Sequence, residues 1–266
     1  MNFPVGVLAV VEGVAGKFFR INGRKLEMKI IISPSKTKKL NSLTKERDFK
    51  KIIFPDTTEK IIKEISGFSV EEIEKKFKLK KEQAEILLKF YRNFKKGNYG
   101  HALASYYGIA YKSINIEEFN KKDVEFAENH LVILSALYGV LTPMTGIKEY
   151  RLDMTNNIFS KKSLYEIWKK NINSYFQEED SIINLASKEY SRVINSPNIY
   201  DFEFYTEEKG SLKQISTNSK KMRGFTVNYI IKNRITEIEK LKNIILDGYR
   251  YSDNLSSEKK YVYIKK

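Results

Sequence analysis

Short apolar or β-branched runs that alternate with segments of helical period are the feature that most restricts what this chain can fold into. Lys29-Ile30-Ile31-Ile32-Ser33 is one such run, closed by Pro34, and Leu131–Leu134, Ser181–Leu185 and Lys260–Ile264 are others. A strand with no polar face belongs in a sheet covered on both sides. Between these runs, residues 57–94 carry Val70, Ile73, Phe77, Leu87, Leu88, Tyr91 and Phe94 at helical spacing, with a capping box at Ser69-Val70-Glu71-Glu72. Further helices are predicted near Asp123–Asn129 and over Lys162–Tyr175 and Thr217–Asn233, and extended segments over His101–Tyr106. Strands and helices in this order predict an α/β (mixed α+β) fold, a single compact domain with a central mixed sheet and a helical insert. No stretch rich in Gly, Ser or Pro divides it.

The first 27 residues read differently. Their apolar stretch is broken by Glu12 and preceded by no basic segment, so it makes a poor secretion signal. Met28 opens the first buried strand. The expectation is therefore a leader or gene-model extension over residues 1–27 and the domain proper over 28–266. No apolar run approaches the roughly 20 residues that a membrane-spanning helix needs, which argues against a membrane partner and for a soluble protein.

With no cysteine, the chain has no disulfide, thiolate zinc site, iron–sulfur cluster or thiol peroxide chemistry of its own. Forty-eight Lys and Arg against 33 Asp and Glu leave a formal charge of +15. Four basic and two acidic residues fall in 1–27, so the body keeps the excess. That balance suits a polyanion partner, although many lysines alternate with glutamates on helices and simply solvate a face.

Polar residues gather just after the buried runs. Ile32-Ser33-Pro34-Ser35-Lys36-Thr37 places Lys36 where loops of α/β folds meet phosphate, but without the glycines of a nucleotide-triphosphate loop; phosphate contact and a plain surface lysine both stand. Leu134–Leu141 breaks at Tyr138-Gly139 and leads into Glu149-Tyr150-Arg151-Leu152-Asp153-Met154, where Arg151 either clamps a phosphate or fixes the loop through a carboxylate. Asn184 to Tyr190 again follows a strand, bringing Asn184, Lys188 and Glu189 within reach of the same sheet edge. Lys220-Lys221-Met222-Arg223 opens a helix whose macrodipole such a basic cluster opposes, which a bound anion would explain; Arg234 lies further along. His101 and His130 fall in separate elements and read as packed or surface histidines, so triad and metal-hydrolase chemistry are disfavoured. An oxygen-ligand metal site from Glu149, Asp153 and Glu189 is left open by spacing alone.

The blocks ISPSKT, LSALYGVLTP, EYRLDM, INLASKEY, KKMRGFTVNYIIKNRI and LDGYRY, in that order from residue 32 to residue 251, closely resemble the YaaA peroxide-stress family. The resemblance implies a compact α/β domain with a helix-hairpin-helix-like region, a positively charged cleft that binds double-stranded DNA, and a cytoplasmic role in limiting free iron during hydrogen peroxide stress. Lys36, Tyr138, Arg151, Asn184, Lys188, Lys221, Arg223 and Arg234 occupy the matching blocks and are the candidate nucleic-acid or phosphate contacts. It supplies no accepted catalytic residue, no cofactor, no metal site and no stable protein partner, and a monomer is expected.

Two readings follow. In the first, lysines and arginines neutralise DNA phosphates while tyrosines stack on exposed bases. In the second, the same crevice belongs to an enzyme acting on a nucleotide, nucleobase or phosphorylated small molecule, because Lys36, Tyr138, Arg151, Asn184 and Glu189 are richer in shaped polar groups than phosphate gripping requires. Direct iron storage is disfavoured by the absence of cysteine and the scarcity of histidine.

Overall fold

A computed structural model of the chain describes residues 28–45 and 48–266, and, for the backbone alone, Leu8–Gly13, Gly16–Ile21 and Arg24–Lys25. Those three segments form an antiparallel sheet of their own. The expectation for residues 1–27 falls on positions whose side chains lie outside those described.

The centre of the molecule is a nine-stranded mixed sheet. Its strands are β1 (Met28–Ile32), β2 (Leu131–Ser135), β3 (Gly139–Leu141), β4 (Ser181–Leu185), β5 (Ile199–Glu208), β6 (Ser211–Lys213), β7 (Ile245–Leu246), β8 (Tyr249–Tyr251) and β9 (Lys260–Lys265). They lie in the order β7-β8-β9-β5-β4-β1-β2-β3, with β6 paired to β5. The middle strands β9, β5, β4, β1 and β2 run parallel, and the flanking pairs are antiparallel. Burial explains the composition: β2 is buried along its whole length, and β1 at every position but Lys29. A parallel strand covered on both faces carries no polar alternation. In register, Ile30 lies opposite Ile183 on one side and Leu131 on the other, and Ile32 lies opposite Leu185. The carboxyl ends of β1 and β4 are therefore level.

Helices cover both faces. The insert between β1 and β2 begins with α1 (Pro55–Ser66), α2 (Val70–Phe77) and α3 (Lys81–Arg92). Pro55 presets the first turn of α1, the predicted box at Ser69 and Glu72 caps α2, and Lys78 in the left-handed region ends it. Ile61, Ile65, Ile73, Phe77, Ala84, Leu87, Leu88 and Tyr91 form their buried face. After them come α4 (Ala102–Ser105), α5 (Ile109–Ile114), α6 (Lys121–His130), α7 (Leu164–Phe176), α8 (Lys188–Ser191) and α9 (Ser216–Asn233). Asn120 with Asp123 and Ser163 with Glu166 close further capping boxes on α6 and α7. One hydrophobic cluster joins strands and helices, with Trp168 of α7 fully buried against the β2–β3 turn and donating its indole N–H to the Ala136 carbonyl at 2.8 Å.

Two segments differ from the sequence-based expectation. Residues 101–106 are not extended throughout: Ala102–Ser105 is a helical turn between short strands at Gly100–His101 and Tyr106–Tyr107. Its small Ala and Ser side chains let it pack closely against the short strand at Gly146–Ile147, with Ala102, Leu103 and Ser105 buried. The ten-residue strand β5, which the sequence reading passed over, alternates buried Phe202 and Phe204 with more exposed neighbours.

The approach of α9 to α5 is set by glycine. A Cβ added at Gly224 would stand 2.1 Å from the Ala110 carbonyl oxygen and 2.6 Å from Ser113 Cβ. Gly224→Ala gains about 1 kcal/mol in helix propensity but collides with backbone that no rotamer change can move, at a cost of about 1–3 kcal/mol or more. Overlap wins. The variant is expected to show a lower urea midpoint at unchanged slope; an equal or higher midpoint would show that α9 does not rest on α5 in this way.

Candidate functional site

The loops leaving the level ends of β1 and β4 make the floor of a cleft of about 360 Å³. They are tied together first: Ser33 Oγ accepts the Ser187 N–H at 2.8 Å, and the two hydroxyls lie 3.1 Å apart. Asn184 shapes the second loop from beneath, its Oδ1 accepting the Ala186 N–H at 3.0 Å while its Nδ2 donates to Asp201 at 2.6 Å. The Tyr111 hydroxyl donates to the Ser33 carbonyl at 3.0 Å and brings α5 to the wall. Arg151-Leu152-Asp153 forms a second wall, and Lys220 and Arg223 of α9 a third.

Charge in the cleft is unequal and unevenly matched. Lys36, Lys38, Arg151, Lys220 and Arg223 face Asp153 and Glu189. Lys36 pairs with Asp153 at 3.2 Å. Lys38 lies deeper, donating to the Ser35 carbonyl at 3.0 Å and standing 4.0 Å over the Tyr150 ring. Burial pulls its ammonium down to about 8, against the Asp153 and Glu149 carboxylates, which raise it, while Arg151 lowers it further. Burial pushes the Glu189 carboxyl up, and the Asp153 charge adds to this, against Lys36 and the Met154 N–H. The Glu189 Oε1 is buried without a hydrogen-bond partner, and so is the Nε of Arg223. Burial also lowers the Arg223 guanidinium, which the Glu203 charge partly offsets.

Beneath Lys38 lies a dry chain of hydroxyls. Tyr106 and Tyr150 are 2.7 Å apart, and Tyr150 is 2.8 Å from Ser135. Burial raises Tyr106 and Tyr150, the latter to about 12. These phenols stay neutral and act as packing with satisfied polar ends.

Of the candidate contacts, the cleft brings together Lys36, Arg151 and Arg223, with Glu189 beside them. Tyr138 is buried and its hydroxyl accepts the Lys148 N–H at 3.1 Å. Asn184 lies under the floor. Lys188 is exposed on the first turn of α8, where its charge acts on Glu203. Lys221 turns away to Asp247 at 3.3 Å, and Arg234 ends α9 against Asp123 at 2.9 Å. The histidines are packed: His101 accepts the Leu43 N–H at 2.9 Å and donates to the Asp48 carbonyl at 3.0 Å, and His130 donates to the Met28 carbonyl at 2.8 Å. Glu149, Asp153 and Glu189 do not gather: among the described residues no three metal-type side chains do.

Lys38 and Lys220 are the cleft cations that the sequence reading did not select. Both carried a signal. Lys36 and Lys38 are two apart in an extended segment and share a face, while Lys220 and Arg223 are three apart on a helix. A second groove, of about 440 Å³, opens between Gln83, Ile86 and Phe90 of α3 and the residues Lys36, Lys38 and Arg151, so these three cations line both depressions.

Residues 28–255 match the model of a family described as peroxide stress protein YaaA. A UPF0246 protein of Fusobacterium nucleatum is 38% identical over 247 residues, covering 90% of this chain and 99% of that protein. One of Clostridioides difficile is 38% identical over 247 residues, with 90% and 100% covered. One of Francisella philomiragia is 33% identical over 247 residues, with 87% and 97% covered.

The burial of Lys38 has a direct readout. NMR of lysines isotope-labelled at Cε is expected to show Lys38 titrating near pH 8, while unperturbed lysines titrate near 10.4. Asp153→Asn removes a carboxylate that favours the charged form, so the midpoint should move down. A Lys38 midpoint above 10, or an upward shift in the variant, contradicts the account.

Proposed function

We propose, because this chain belongs to the YaaA peroxide stress protein family, that it is a DNA-binding protein of the peroxide response, acting as a cytoplasmic monomer without a bound cofactor. The observation that carries the reading is the sharing of Lys36, Lys38 and Arg151 between the cleft and the α3 groove. Cations that line two adjoining depressions form a continuous track, which suits successive phosphates of a strand better than one isolated anion.

The α2–α3 hairpin supports the same reading. Lys78 and Lys80 lie in its turn, and the N-cap residue Lys80 makes no side-chain bond to the amides of α3. Open amides at a helix amino terminus, flanked by lysines, are a phosphate grip of the helix-hairpin-helix kind. Arg151 is exposed at the junction and its planar guanidinium can take a phosphate bidentately. Bound in this way, the protein would cover DNA against damage by ferrous iron and peroxide, and its effect on iron would be indirect, since the chain has no cysteine and only two histidines.

Affinity for duplex DNA should fall linearly with the logarithm of salt concentration. Lys36→Ala and Arg151→Ala are each expected to weaken binding about three- to tenfold at low salt and to reduce the magnitude of the slope by about one. A duplex that does not bind at low salt, or a flat salt dependence, would sink the reading. Loss of affinity in Lys221→Ala, with Lys36→Ala unchanged, would move the interface to the far side of α9.

A further inference from the structure

Two charged groups in the cleft are left unsatisfied by the protein itself. Glu189 Oε1 is a buried acceptor and Arg223 Nε a buried donor, neither with a partner, and both residues line the same space. No carboxylate ion-pairs with Arg223 among the described residues. A buried polar atom of a charged group that lacks its hydrogen bond is costly, and it persists where a ligand completes it. Here the missing partners differ: Arg223, with Lys220 beside it, calls for an anion, and Glu189 calls for an N–H. A phosphate alone satisfies only the first and leaves the Glu189 oxygen without a donor.

Ile32, Leu185, Tyr111 and Tyr190 add apolar and aromatic wall, beside the hydroxyls of Ser33, Ser35 and Ser187. A volume of about 360 Å³ lies at the small end of ligand pockets, roughly 300–1,000 Å³. We propose that the cleft seats one nucleotide unit, its phosphate against Arg223 and Lys220 and the N–H edge of its base against Glu189. Such a unit is anionic at one end, a hydrogen-bond donor at the other and flat between, which matches the three kinds of wall. It comes either free or swung out of a strand; the second source rests on the DNA reading above, whereas the chemistry of the seat does not.

The two sources are separated by experiment. In the first arm, calorimetry compares the four deoxynucleoside monophosphates with their nucleosides and with inorganic phosphate. At least one nucleotide is expected to bind tenfold or more tightly than both its nucleoside and phosphate, about 1.4 kcal/mol. Arg223→Met should reduce it to the level of the nucleoside, and Glu189→Leu, which leaves no acceptor for a base N–H, to that of phosphate. In the second arm, a duplex carrying one unpaired fluorescent purine analogue reports extrusion, and its signal change should vanish in both variants. Melting of the ligand-free variants provides the control for folding: each removes a buried polar atom that has no hydrogen-bond partner, so the melting temperature should hold or rise, whereas side chains that merely brace the fold would lower it. The proposal is overturned if no nucleotide exceeds phosphate and the analogue is silent, or if both variants melt lower with nucleotide affinity unchanged. Nucleotide binding without any duplex binding would retain the seat and remove the DNA reading.

Discussion

The pairing of β1 between β4 and β2 is the constraint on which the rest depends. Because Ile32 lies opposite Leu185 in parallel register, both chains leave the sheet at one edge, and each must satisfy its freed backbone there. Ser33 and Ser187 do so for each other, and Asn184 turns the second loop from below. The cleft is the space these turns leave beneath α5 and α9. A one-residue slip would exchange the faces of Ile30, Ile31 and Ile32 and separate the two serines, so the register that fills the core also fixes the positions of Lys36 and Glu189.

Net charge proves a poor guide to where anions would be met. Lys221 and Lys265 share Asp247, Lys232 and Arg234 share Asp123, and Lys50 reaches Glu128. The exposed pairs at Asp247 contribute at most about 1 kcal/mol each, but all of these pairs cancel field locally. What distinguishes the cleft is incomplete cancellation. Among the described residues Arg223 has no ion-pair partner there, and Lys38 stands against a tyrosine ring and carbonyl oxygens instead of a bonded carboxylate.

The strands that are apolar at nearly every position were legible because nothing else explains such composition: Ile30–Ile32, Leu131–Leu134 and Ile182–Leu185 are where they were expected, and Ser69, Glu72 and the faces of α2 and α3 followed from capping and period. β5 was passed over although Phe202 and Phe204 alternate cleanly, since Asp201 and Glu203 between and beside them leave no uniformly apolar run. In the site, residue type pointed to the right strand ends but not to the right side chains. Asn184 and Tyr138 sit next to the cleft by sequence, yet Asn184 is taken up by the Ala186 amide and Asp201, and Tyr138 by the Lys148 amide. The direction of a side chain at a turn depends on dihedral angles that composition does not encode. Lys38 went unselected for the complementary reason: its burial comes from Tyr106 and Tyr150, far along the chain, and only the folded sheet brings them together.

The Ser33–Ser187 contact spans 154 positions, and that distance is also a delay. During synthesis at roughly 5–20 residues per second, β1 emerges roughly 8–30 seconds before the β4 loop exists. Throughout that interval Ile30, Ile31 and Ile32 have no partner on that side, while the helical insert, built on neighbours close in sequence, can already collapse. The crevice thus comes into being well after the insert, and a nascent chain halted before residue 181 would carry a finished insert, an unpaired apolar edge and no site at all.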